Sequence, residues 1–438
     1  MTSTTSRTGR LPLTSRSSYA PSLAGSLADM HIDAGRPANG CRAPRCLWLT
    51  LADPEPRHNG QFIYSGGLID AVAETGAEVE VLGLSRPDSP KRNGDGVAHV
   101  VWRLVEQTPL SHWGSLTSPL PHLAYRCRTS QMRRILDELL TQNDWDGIVF
   151  DGLSVGWALP HVLAHYRRHQ SRPKLIYVSH NHEESLRAQI AERQGRFLRR
   201  QAVRLDALKV SRLERDLVAA VDLVTAITPE DRSLYRERQP AKPIEVLTPG
   251  YEGRCVARRQ ITADLPRRAI IVGSFDWIAK RMNLEDFVSV ADPLFAAHGA
   301  ELQVIGSAEE SFLNGLRKRA VATSFTGTVA DVTGYMDNAR IAIVPELNGG
   351  GFKLKVLEYV FNRLPIFGLE GSVAGVPLRP DDGIMLFPDH ATLAQAVIDA
   401  MDNLDLLNGM QQRAFVACRD KFDWASRGQQ LLSALAGS

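Results

Sequence analysis

From residue 46 onward, short runs of consecutive apolar residues alternate with longer stretches whose apolar positions recur every three or four residues. The runs at 46–52, 79–82, 98–104, 147–151, 174–178, 223–227 and 245–247 predict strands, several apolar on both faces as in a buried parallel sheet. Between the first two, Phe62, Leu68, Ile69, Ala71 and Val72 fall on one helical face, and Gly76 marks its end. Further helices are predicted over 126–140, 156–165 and 187–219. The stretch 105–122, with three prolines, reads as a loop facing a site. A second series follows, with strands at 269–272, 301–305, 324–326, 341–344, 365–367 and 384–387 and helical segments between them. The turn-forming segment 248–253 separates the two series. Repeated β-α-β units of this kind predict an α/β chain of two Rossmann-like, doubly wound, parallel-sheet domains, 46–250 and 251–438, facing a cleft. Ligands of such sheets bind beyond the strand C-termini, so the residues just after each strand are the candidates.

Composition narrows the partners. The chain has 438 residues, 44% hydrophobic and 23% charged, with a formal net charge of +2, which gives no case for nucleic acid. The cluster Arg199, Arg200 and Arg204 reads as a solvated helix face, with peripheral contact to an anionic membrane surface as the lesser alternative. No run of 18 apolar residues exists to span a bilayer. Five widely spaced cysteines without a C-x-x-C pair fit a reducing, cytoplasmic setting and argue against a disulfide framework or a structural zinc site. Residues 1–45 are rich in Ser, Thr, Arg, Pro and Gly. They are expected to form a disordered tail or to precede the true start, because they cannot bury enough apolar surface to fold; a transit peptide has the same composition.

The sharpest local signal lies after the strand at 341–344. Gly349, Gly350 and Gly351 precede a helix whose apolar face carries Leu354, Leu357 and Phe361, with Lys355 and Glu358 three apart on another face. Glycines allow close backbone approach to a ligand, and a helix N-terminus presents open N–H groups to phosphate. A lysine–glutamate pair here can divide a nucleotide: ammonium to diphosphate, carboxylate to ribose. The spacing matches neither a dinucleotide fingerprint nor a phosphate-binding loop of the Walker type. A plain turn followed by an exposed ion pair is the competing reading.

Two other strand ends carry chemistry. His180 follows the strand at 174–178, with His182 and Glu183 beside it; the trio suggests a metal only weakly. Asp151 closes the strand at 147–151 and serves either as a base towards an acceptor hydroxyl or as an N-cap for the helix that follows. Glu252 and Asp276 sit in interdomain loops as candidate donor-sugar contacts.

The stretch from Gly349 through Lys353, Lys355 and Glu358 to Pro365 resembles the donor motif of family-4 (group 1) GT-B glycosyltransferases, in the branch reading Gly-Gly-Gly-x-basic-x-Lys-x-x-Glu-(x)6-Pro. The resemblance extends over 46–438: Asn59 and Gly60 at the N-terminal glycine loop, His180, Asn181 and Glu183 at a strand end, Glu214, Asp222 and Thr228 before the interdomain segment, Gly273 and Asp276 after the first C-terminal strand, and Phe422 and Trp424 at the start of a last helix that in the family crosses back to the N-terminal domain. It implies a transferase using a nucleotide-diphosphate sugar, with the donor on the C-terminal domain and an unidentified acceptor (a glycan, a lipid-linked sugar or a secondary metabolite) on the N-terminal one. It further implies that Glu358 holds the ribose, Lys280 and Lys355 the diphosphate, and His180 the transferred sugar, with retention of configuration and no bound metal or other cofactor. The chain departs from the family at Gly350, where many members have a second Glu, and at Ser274, where many have Arg. A nucleotide-sugar epimerase and a non-catalytic sugar-nucleotide binder are the alternative functions on the same fold.

Overall fold

Strand β1 (Arg45–Ala52) shows why the fold begins where it does: Cys46, Leu47 and Trp48 are fully buried, so both faces of this strand are covered, as a central parallel strand requires. It pairs with β2 (Glu78–Leu84) on one side and β4 (Gly147–Asp151) on the other. β3 (Val100–Val105) lies beyond β2; β5 (Lys174–Val178), β6 (Leu223–Ala226) and β7 (Ile244–Val246) continue past β4. The result is a seven-stranded parallel sheet, order β3-β2-β1-β4-β5-β6-β7. The computed structural model describes residues 42–436 other than 58, 90–98, 108–111, 168, 170, 193–196, 277, 347–350 and 381–382. The expected tail thus falls almost entirely outside the described residues.

A six-stranded parallel sheet follows, built from β8 (Arg268–Val272), β9 (Glu301–Ile305), β10 (Thr323–Gly327), β11 (Ile341–Val344), β12 (Ile366–Leu369) and β13 (Ile384–Phe387), in the order β10-β9-β8-β11-β12-β13. Strand order reverses between β1 and β4 and again between β8 and β11, which makes both positions topological switch points where a crevice opens. From Ala43 onward the chain clusters as one compact unit.

Several helices differ from their sequence expectation. The single helix predicted over 126–140 is two, His122–Cys127 and Ser130–Gln142, because the Thr129 hydroxyl accepts from the Met132 amide at 3.0 Å and starts a new helix. The proline-rich stretch contains a short helix, His112–Thr117. Within 187–219 the described residues belong to the helices Glu183–Glu192 and Phe197–Ala220, and 193–196 lie outside the described residues. The last helix, Trp424–Ala436, packs on the first, Gly60–Glu74. Two glycines permit that approach: a Cβ on Gly67 would stand 2.3 Å from the Trp424 ring, and one on Gly428 2.1 Å from the Ala71 carbonyl. Arg427 fastens the helix further, donating to the Thr248 carbonyl at 2.8 Å.

Candidate active site

On the N-terminal side, the register of β4 against β5 sets Asp151 beside Val178, two residues before His180. Asp151 is fully buried. Its Oδ2 accepts from Trp48 Nε1 at 3.1 Å and from Thr50 Oγ1 at 2.8 Å, and its Oδ1 meets His180 Nε2 at 2.6 Å. Burial alone would push this carboxyl up. The adjoining His180 charge and the hydrogen bonds from His180, Trp48 and Ser65 more than offset it, so the group sits below the ordinary aspartate range. Asp151 therefore does not cap the following helix: that segment, the 3-10 turn Leu153–Ala158, starts at Gly152 with no side-chain cap. An ionised Asp151 accepts a hydrogen bond from Nε2–H and so fixes the imidazole tautomer and orientation. The Tyr64 ring meets the His180 ring edge-on at 5.2 Å, and Tyr64 is itself anchored through its hydroxyl to the Leu247 carbonyl at 2.6 Å. Nδ1 of His180 makes no hydrogen bond among the described residues.

His180 lines a cavity of about 240 Å³ that draws on both halves of the chain, with Gly60, Tyr64, Ser154 and Asn181 on one side and Gly351, Phe352 and Leu354 on the other. Gly60 opens the first helix, and a Cβ there would touch Leu354. Gly351 has φ +77°, and a Cβ on it would lie 2.3 Å from Asn181 Oδ1 and 3.2 Å from the His180 carbonyl. Only glycine fits that position. Gly349 and Gly350 lie outside the described residues.

On the C-terminal side, Glu346 stands just beyond β11 and is buried. Lys355, on helix Leu354–Phe361, forms an ion pair with its Oε1, and its Oε2 has no hydrogen-bond partner. Lys353 and Lys280 join the group. Lys353 is pushed down to about 8, first by burial and then by Lys355 and Lys280, against the pull of Glu346. Lys280 is lowered by burial and by Lys355, against Glu346 and Asp276. Three ammonium groups thus crowd one carboxylate, and the surplus positive charge suits an anion. Helix Leu354–Phe361 begins at this cluster with no side-chain cap, so its first amides add to the field.

Glu358 lies one turn further on and is raised, chiefly by burial and by Asp331, against hydrogen bonds from Tyr251 and Asn362. Asn362 Nδ2 donates to its Oε1 at 3.1 Å. The Tyr251 ring stacks on Phe361 at 4.5 Å.

The structure brings His180, Gly60 and Gly351 together at one cavity, with Asp151 buried behind His180, and Lys280 and Lys355 together at one carboxylate. Asp276 accepts from Ser274 and Ser307 hydroxyls at 2.6 and 2.7 Å, and Glu252 stands 3.8 Å from Arg57. The trio His180, His182 and Glu183 does not form one cluster: His180 turns to Asp151, and His182 Nδ1 to Ser185 Oγ at 2.7 Å. Among the described residues the closest grouping of metal-type donors is His182, Glu184 and Glu214. Its carboxylates are already engaged: Glu214 accepts from Tyr235 at 2.6 Å and from the amides of Glu183 and Glu184 at 3.1 and 2.8 Å, and Glu184 accepts from Ser211 at 2.6 Å. Sequence reasoning placed Lys353 in the motif without giving it a role, and missed Glu346. The signal for Glu346 was its position just past the β11 strand end.

Two facing parallel-sheet halves with a ligand crevice between them define the GT-B class, and solved structures agree. Anabaena HepE, determined with UDP and glucose, superposes with a TM-score of 0.62 at 12% identity, covering 90% of this chain and 100% of that one. WaaG, a glycosyltransferase of lipopolysaccharide biosynthesis, gives 0.58 at 16% identity over 90% of this chain and 100% of its own. OtsA gives 0.58 at 13% identity over 90% and 99%. At these identities the likeness establishes the fold. No curated protein sequence matches the chain significantly. Residues 266–403, which hold Lys280, Lys353, Lys355, Glu346 and Glu358, match the family model "Glycosyl transferases group 1": the C-terminal half carries a group 1 glycosyltransferase domain.

Proposed function

We propose that this protein transfers a glycosyl group from a nucleotide-diphosphate sugar to an acceptor hydroxyl held in the cleft, with retention of configuration and without a metal. The observation that carries this reading is the cluster of Lys280, Lys353 and Lys355 around buried Glu346, within the group 1 domain and one turn before Glu358. In the transfer, the bond between the anomeric carbon and the diphosphate oxygen breaks and a bond from that carbon to the acceptor oxygen forms. The acceptor proton leaves to base or solvent. The lysines and the open helix amides stabilise the negative charge that develops on the departing diphosphate, the task a metal performs elsewhere. Glu358 receives the ribose hydroxyls. His180, oriented by Asp151, contacts the transferred sugar from the opposite side of the cavity, where an interaction that strengthens as charge develops lowers the barrier.

Among the described residues no helix is long and apolar enough to cross a membrane. The five widely spaced cysteines without a C-x-x-C pair support placing the protein in the cytoplasm. The HepE complexes with UDP and with UDP-glucose make uridine diphosphate the first nucleotide to test. The experiment is a thermal-shift screen of nucleotide sugars in EDTA, followed by product analysis with the best binder. Transfer of the sugar in EDTA supports the reading. Interconversion of the donor without transfer would make the protein an epimerase, and binding without turnover would make it a binding partner.

A further inference from the structure

A second cavity, of about 290 Å³, lies along the same edge of the N-terminal sheet, past the ends of β1 and β2. It shares Leu123 and Arg187 with the His180 cavity, so the two adjoin at these side chains. Its floor is apolar, formed by Leu51, Phe62, Leu84 and Leu123, and its polar groups are mostly basic. Arg86 is held rigidly: it donates to the carbonyls of Asp53 and Pro56 at 3.1 and 3.2 Å, pairs with Asp88 at 2.7 Å, and stacks on Phe62 at 4.2 Å. Arg187 meets Glu183 through Nε alone, at 3.4 Å, which leaves both terminal nitrogens without a partner among the described residues. Arg126 is exposed and makes no hydrogen bond or ion pair among the described residues. The opposing charge in the lining is Asp206, whose Oδ1 already accepts from the His122 amide at 2.7 Å.

We propose that this cavity is an acceptor subsite for a phosphoryl group carried on an apolar stem, with Arg126 and Arg187 as its ligands. The inference rests on the transferase reading for the word acceptor, but the site itself does not depend on it. Two guanidinium groups with open forks match a phosphate dianion in charge and geometry, while the leucine and phenylalanine floor takes the stem. An acceptor seated there extends into the shared region at Leu123 and brings a hydroxyl towards His180.

The test is calorimetric titration of phenyl phosphate, with phenol as the uncharged control, into wild type, Arg126→Gln and Arg126→Gln/Arg187→Gln, each checked by its melting curve. UDP is titrated separately into the same proteins. The expected result is phenyl phosphate binding that weakens about threefold in the single variant and at least tenfold in the double, with phenol not binding and UDP unaffected. Equal affinity of phenyl phosphate in all three proteins, no binding to wild type, or phenol binding as well as phenyl phosphate each overturns the subsite. Arg126 is exposed, so the single variant remains informative even where the double one fails to fold. Loss of UDP binding by every protein would instead sink the transferase reading and leave the subsite to the phenyl phosphate result. Sedimentation with phosphatidylglycerol or phosphatidylcholine vesicles then assigns the source. Retention by phosphatidylglycerol that the double variant loses marks a lipid-borne phosphoryl group. No retention, with phenyl phosphate bound, marks a soluble one.

Discussion

Replacing Asp151 by Asn separates orientation from packing at the centre of the N-terminal site. Trp48 and Thr50 both donate to Oδ2, whereas His180 faces Oδ1. An asparagine can keep its carbonyl oxygen where Oδ2 lies, so both buried donors stay satisfied, and its amide then points at His180. The Nε2–H of the imidazole loses its carboxylate acceptor and the ring must change tautomer or turn. The loss is one charge-assisted hydrogen bond, about 1.5–3 kcal/mol. If it is expressed fully in the transition state, kcat falls about 10- to 100-fold, at about 1.4 kcal/mol per decade. The melting temperature should shift little, and UDP affinity not at all, because the proposed nucleotide site lies in the other half of the chain. Asp151→Ala is the contrast: it strips both buried donors of their acceptor and should cost about 1–3 kcal/mol for each in stability. Steady-state kinetics and thermal melts on the two variants suffice. Wild-type kcat in folded Asp151→Asn would refute a role for the carboxylate in setting His180.

His180→Ala should lower kcat about 10²-fold with UDP affinity intact; a lower melting temperature with unchanged kcat would make His180 purely structural. Gly351→Ala forces a Cβ to 2.3 Å from Asn181 Oδ1 at φ +77° and should destabilise by roughly 1–3 kcal/mol, read from denaturant melts; no loss would mean the cleft is open at that point. Lys353, at about 8, is charged at pH 7 and neutral at pH 9, so nucleotide affinity should fall as pH rises through about 8, and the dependence should flatten in Lys353→Met. The same depressed value means the unfolded chain, whose lysines titrate near about 10.4, keeps a proton that the folded state has lost, so wild-type stability should rise between those two pH values, and affinity measured alongside melting checks both signs. Transfer should survive EDTA, and complete loss restored by manganese or magnesium would overturn the metal-free mechanism.

The two parallel sheets were legible because each strand is a short apolar run between helical patterns, and runs such as 147–151 and 341–344 are buried on both faces. The break at Thr129 was not, since an apolar period carried across it and only the cap distinguishes two helices from one. His180 was placed by its strand end and by the resemblance, and Asp151 by its own strand end. Their pairing was not legible, because Asp151 is 29 residues away and meets His180 only through the β4–β5 register, which a single sequence does not encode locally. At the donor motif the glycines and Lys355 drew attention, whereas Glu346 looked like an ordinary loop residue. Its role emerges only once burial concentrates three lysines on it.

The most direct test of the account is calorimetric titration of nucleoside diphosphates, UDP first, in EDTA, into wild type and Glu358→Ala. The account predicts a saturable one-to-one complex with wild type, weakened by roughly 1–3 kcal/mol in the variant, the cost of losing a hydrogen bond to a charged group. No saturable binding of any nucleoside diphosphate, or equal affinity of the folded variant, would contradict it.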